Sequence, residues 1–286
     1  MQILPEQAWR ARRAAHESTV DSLLAAHLDR ARRGEEHPVE DFLFTYYSHR
    51  PARLRRWHPG VGTVLAGDAA EYAALPGYVT APDGVTATAR RPETVEWVRG
   101  LLAATAGRPA QLGCFGLHEW AMVYRSRETR HSAVPLRLGG AGTDAVVESL
   151  PIRCSHFDAF RFFTPDARGL NVLQPTREAQ PDLEQPGCLH ATMDLYKWSY
   201  KLEPLTPSEL LLDCFRLAKD VRELDMRASP YDLADRGYEP VRIETPEGRA
   251  EYAAAQRGFA ERGQALRQRL VAVCEAAVEW STGGWP

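Results

Sequence analysis

Along most of this chain the apolar residues recur at the three-to-four spacing of a helix rather than with the alternation of a strand. Residues 6–33 place Trp9, Val20, Leu23, Leu24 and Leu28 on one face and predict a first helix. Residues 38–58 run from the aromatic stretch Phe42-Leu-Phe-Thr-Tyr-Tyr47 into an arginine-rich stretch, a helical or extended buried segment ending in a basic loop. Between Gly60 and Arg91 small residues, glycine and proline dominate, and the alternation at Tyr78-Val-Thr80 predicts a short hairpin. Thr94–Thr105 is helical in spacing and is closed by Gly107-Arg-Pro109, and Leu112–Tyr124 reads as a buried helix. Residues 146–163 alternate as a strand does, and Asn171–Pro175 predicts another.

The C-terminal third is punctuated by helix starts. The loop of residues 180–187 leads into a helix carrying His190 and Asp194. Thr206-Pro-Ser-Glu209 is a capping box with proline at the first helical position, opening a helix over about 207–225. Ser229-Pro-Tyr-Asp232 repeats the device for a shorter helix, and Thr245-Pro-Glu247 starts a long terminal one reaching about Trp280. The expectation is a mainly α (α+β) fold, a helical single domain over 1–286. Residues 1–35 form an N-terminal helical extension, and a small β element lies around 146–175.

With 44% apolar and 26% charged residues, the chain has the composition of a soluble globular protein. No apolar run reaches the roughly 18 residues of a membrane span, and the first residues lack a secretory signal's apolar core, so no membrane partner and a cytoplasmic location are expected. The five cysteines, Cys114, Cys154, Cys188, Cys214 and Cys274, form no CxxC pair and read as buried thiols. A net charge of −3 argues against a strongly basic nucleic-acid binder. The basic residues are nevertheless uneven. Arg50, Arg53, Arg55 and Arg56 form one group, and Arg125, Arg127, Arg130 and His131 a second.

Candidate chemistry concentrates between residues 114 and 200. His118 adjoins Glu119, His156 lies two before Asp158, and His190 lies four before Asp194. Histidine is the commonest metal ligand, and a nearby carboxylate orients it or binds the same ion. His156-x-Asp158 on a strand would point both side chains one way, and with His190 it has the shape of a 2-His-1-carboxylate iron site. Glu128-Thr-Arg-His131 has the spacing of half a helical diiron site. The metal reading therefore names His118, Glu119, His156, Asp158 and His190 as ligands of iron or zinc in an enzyme for a small molecule. Core histidines hydrogen-bonded to their neighbouring acids are the alternative of equal weight. Gly139-Gly-Ala-Gly142 reads as a glycine turn.

Several strings together carry a resemblance: PVEDFLFTYYSHRPARLRRWHPG (38–60), CSHFDAFRFFTP (154–165), EQPGCLHATMDLYKW (184–198), LDMRASPYDL (224–233) and GRAEYAAAQR (248–257). They resemble a group of actinobacterial proteins bearing the name 3-methyladenine DNA glycosylase. Residues 57–66 (WHPGVGTVLA) are also similar to the hairpin by which helix-hairpin-helix glycosylases reach a DNA phosphate. The resemblance implies a DNA-repair hydrolase that flips out and excises alkylated purines, with DNA as partner and a base as substrate. On that reading Asp158, Asp194 or Glu178 is the catalytic carboxylate. Trp120, Phe160 and Tyr196 would line the base pocket with Lys197, Arg161 and Arg227, and Arg53, Arg55 and Arg56 would touch phosphate. A non-catalytic ligand-binding protein with the same aromatic pocket is the third reading.

Overall fold

A computed structural model describes residues 1–126 and 134–282; the Glu128–His131 spacing, with Arg127 and Arg130, lies outside the described residues. Six helices of eleven or more residues carry the described fold: α1 (Glu6–Arg33), α2 (Pro92–Ala106), α3 (Gly139–Ser149), α4 (Leu189–Lys201), α5 (Ser208–Arg227) and α6 (Pro246–Thr282). Five of them stand where the periodicity and its stops place them. No helix among the described residues is long and apolar enough to cross a membrane.

The chain divides into two compact units, where the sequence reading expected one domain. The first comprises residues 1–103, 195–216 and 265 onward; the second comprises 104–194 and 217–264.

In the first unit, α1 buries Trp9, Val20 and Leu24, and the Trp9 indole N–H donates to the Ala66 carbonyl at 3.0 Å. The preceding strand β1 (Gln2–Leu4) pairs in parallel with β2 (Thr63–Leu65). Residues 1–35 are thus built into this unit's core and sheet. The sheet continues through β4 (Gly84–Ala87) to β3 (Tyr78–Ala81), in the order β1-β2-β4-β3, with antiparallel pairing beyond β2. The hairpin expected near Tyr78 is therefore present. Gly84 closes its turn at φ 146°, where a Cβ would lie 2.0 Å from the Leu65 carbonyl oxygen.

The β element is thus mainly α's small companion, as expected, but not around 146–175. There the structure has α3, a helical turn at Phe157–Phe160 and a single bridge between Ile152 and Asn171. Thr143, Val146 and Val147 form the buried face of α3, a helical period that outweighs the strand preference of two adjacent valines. Apart from the hairpin near Tyr78, the strands β1 and β2 are three residues long, too short for a period-2 pattern to stand out. Leu112–Tyr124 is helical only over Leu117–Ala121. Ser229 and Pro230 form a bend, Tyr231 bridges to Leu136, and the helical turn that follows is the 3₁₀ segment Ala234–Arg236. The Thr206 hydroxyl makes no hydrogen bond, so the capping box does not close. Residues 57–66 lead from a four-residue turn into β2 rather than joining two helices, and the Val61 N–H donates to the Leu205 carbonyl.

His58 is buried against Tyr78, its Nδ1 2.8 Å from the Tyr78 hydroxyl. Burial lowers its pKa from 6.5 to about 4. A lowered folded-state pKa means stability that is complete above pH 6.5 and is lost as pH falls toward 4. The expected loss is on the order of 3 kcal/mol across that window. Urea titrations at pH 7 and 4.5 should show a smaller pH effect in His58→Gln than in the parent protein; equal effects would refute this.

Candidate metal centre

Six buried side chains of the second unit meet in two groups of three. His118, His190 and Asp225 form one and His156, Glu184 and Asp194 the other, with the ligand atoms of each within 4.8 Å of one another. His190 stands between the groups, its ring 4.5 Å from that of His118 and 5.3 Å from that of His156.

Local structure explains each placement. His118 sits on the short helix Leu117–Ala121, entered through Phe115 at φ 47° and Gly116 at φ 71°. Positive φ at a phenylalanine is strained backbone of the kind found at functional sites. At Gly116 an added Cβ would meet Ala228 and Tyr252 only at 3.4 Å, so it is the left-handed φ that favours glycine there. His156 lies in a loop held by Asn171, whose side chain accepts from the Cys154 N–H and donates to the Cys154 and Leu173 carbonyls. Glu184 receives the Gln180 amide at 2.6 Å. The tight Gln185–Gly187 turn after it is braced by Gln111 and Gln256.

In the first group, His118 Nε2 lies 2.9 Å from Asp225 Oδ1. In the second, His156 Nε2 lies 3.2 Å from Glu184 Oε1 and 3.3 Å from Asp194 Oδ2. Despite these separations, His118 Nε2, Asp225 Oδ1 and both His156 nitrogens complete no hydrogen bond. Donors 2.0–2.2 Å from a shared ion sit about 3.0 Å apart at right angles and about 3.4 Å apart in a tetrahedron. The observed separations of 2.9–3.3 Å lie close to those edges.

The electrostatics are set by burial and proximity. Burial disfavours charge on His118, but the Asp225 carboxylate outweighs it and holds that pKa well above the ordinary value. Burial likewise opposes charge on His156, and Asp194 and Glu184 raise it to about 9. Burial and then His118 push His190 well below the ordinary value, leaving it a neutral imidazole. Burial opposes charge on Asp225 too, but His118 and then Arg222 hold its carboxyl well below the usual range. A metal ion would displace the protons of His118 and His156 on binding.

The two groups differ in access. His118 and His190 line a cavity of about 10 Å³ with Cys114, Cys154, Cys188 and Tyr252, room for roughly one water. None of His156, Glu184 and Asp194 does. The buried Tyr252 hydroxyl makes no hydrogen bond. The Cys154 and Cys188 thiols are raised in pKa by burial, which keeps them protonated.

The three histidines named from sequence therefore do converge, but two of their proposed carboxylates do not. Glu119 turns to Arg222, at 3.1 Å. Asp158 lies on the helical turn after His156, not on a strand, and pairs with Arg177 at 2.9 Å and Arg161 at 3.3 Å. Asp194, named as a catalytic acid, is instead a candidate ligand. Glu184 and Asp225 were missed. Asp225 had a readable signal: Leu211, Phe215, Ala218, Arg222 and Asp225 follow one buried stripe of α5, which puts two charged residues on an apolar face.

The residues assigned to base excision are dispersed. Glu178 is exposed. Trp120 is fully buried and donates to the Ala228 carbonyl, and Phe160 packs on Phe163. Tyr196 is also fully buried and belongs to the first unit, so neither it nor Trp120 offers an open ring face. Lys197 lies over the Trp198 ring, Arg161 over that of Phe162, and Arg227 donates to the Glu239 carbonyl. Arg55 is held by Asp21, whereas Arg53 and Arg56 line cavities of the first unit.

Comparison with protein-family models, with curated proteins and with solved structures finds no match to this chain.

Proposed function

We infer that the protein is a metal-dependent enzyme acting on a small molecule, with His118, His190 and Asp225 holding the reactive ion. The observation that carries this reading is the convergence of two buried imidazoles and a buried carboxylate, whose ligand atoms all lie within 4.8 Å of one another. Two histidines and one carboxylate, with no thiolate, make a set suited to iron(II) or zinc with positions left open. The one-water cavity beside His118 and His190 supplies such a position, and a catalytic ion needs one. An ion there would activate bound water or dioxygen, and the Tyr252 hydroxyl stands at the same cavity to hydrogen-bond that ligand. The group of His156, Glu184 and Asp194 does not reach the cavity and fits a second, closed ion. Base excision rests on the resemblance alone, since its assigned residues do not gather in one place.

The test is elemental analysis of the full chain after anaerobic loading with iron(II) or with zinc and removal of free metal. Bound ion that survives desalting is expected. Chelation should lower the melting temperature, because saturating an ion site at about 100 times its Kd stabilises by about 2.7 kcal/mol. A chain that stays metal-free after both loadings, with an unchanged melting temperature, would overturn the reading.

A further inference from the structure

The first unit holds a cavity of about 680 Å³ that the metal chemistry does not use. Arg50 and Arg53 line it from one segment and Arg90 and Arg91 from another, with Lys201 from α4. None of the four arginines forms a salt bridge with a described residue. That is unusual in this unit, where Arg10, Arg12, Arg13, Arg30, Arg33 and Arg55 are all ion-paired. The lining contains one carboxylate, Glu203, and it is engaged by His49 Nε2 at 3.2 Å. A smaller adjoining cavity shares Arg53 and Arg90 and adds Arg56.

Four arginines facing one space against a single engaged carboxylate repel one another until an anion enters. The wall also holds the start of α2, through Arg91, Thr94 and Val95, and the positive end of that helix's dipole favours negative charge. Tyr200, stacked on His49 at 4.6 Å, supplies an aromatic surface beside the charges. The volume is that of a small-molecule site, within the usual range of about 300–1,000 Å³.

We propose that this cavity binds a phosphorylated small molecule carrying at least two negative charges, its phosphates held by Arg50, Arg53, Arg90 and Arg91. A nucleic-acid strand fits less well. The arginines converge on one concavity, and the segment 59–62 that resembles a phosphate-binding hairpin is not part of its lining.

Inorganic pyrophosphate is the probe, titrated calorimetrically into the full chain. Sub-millimolar binding is expected, weakened about tenfold or more by R53A and by R90A, since each removes one charge-assisted contact. R55A should bind as the parent does, because Arg55 is committed to Asp21. The four arginines are exposed, so the variants should keep their fold, which circular dichroism checks. No binding, or binding that both variants leave unchanged, would overturn the proposal. So would a single-stranded thymidine 12-mer that binds more tightly than pyrophosphate and is weakened by the same variants.

Discussion

Asp225→Asn is expected to empty the site formed with His118 and His190 while leaving the site of His156, Glu184 and Asp194 loaded. Asparagine keeps the shape of aspartate but removes the charge that opposes a divalent ion, and Asp225 is fully buried, where water cannot substitute for that charge. Affinity at the first site should fall by at least about 100-fold, more than the 10- to 100-fold typical of losing a group behind the ligands. Elemental analysis after desalting should show about half the bound ion of the parent protein. Glu184→Gln should remove the other half. If Asp225→Asn retains the full complement, the first group is a hydrogen-bonded core cluster rather than a metal site.

The second large effect concerns Arg222. It is buried, with Nη1 3.1 Å from Glu119 and 3.2 Å from Asp225. Burial raises the pKa of Glu119 even with the guanidinium opposing it. Arg222→Met leaves both carboxylates buried without that cation, a change that costs about 3–5 kcal/mol. The loss should be larger in chelated protein than in loaded protein, because an ion on Asp225 replaces part of the missing charge. Adding Glu119→Gln should recover part of it. Urea unfolding of the parent, the single and the double variant, with and without chelator, measures all of this, and a loss below about 1 kcal/mol would remove Arg222 from its supporting role.

The histidines could be found in the sequence because each carries a nearby acid, but those acids were poor guides to the actual partners. Glu119 and Asp158 are sequence neighbours of histidines, yet arginines claim both. Glu184 and Asp225 lie 28 and 107 residues from the imidazoles they approach, and no local spacing encodes such a meeting. The arginines near residue 50 were visible as a cluster. Their division into Arg55, which is paired, and Arg53, which is not, depends on where Asp21 falls in the fold.

Helix periodicity, proline-led starts and glycine stops are local properties, and with them the sequence by itself determined a mainly helical chain and the positions of α1, α2, α4, α5 and α6. The tertiary structure alone decided the rest. The three-residue strands β1 and β2 pair across about 60 residues, so outside the hairpin near Tyr78 the sheet left little periodic trace. The strand-like valines of α3 became helical because their buried face repeats at three and four residues. The two ligand groups arise only where distant segments pack together, since burial and proximity, not spacing, decide which carboxylate meets which imidazole.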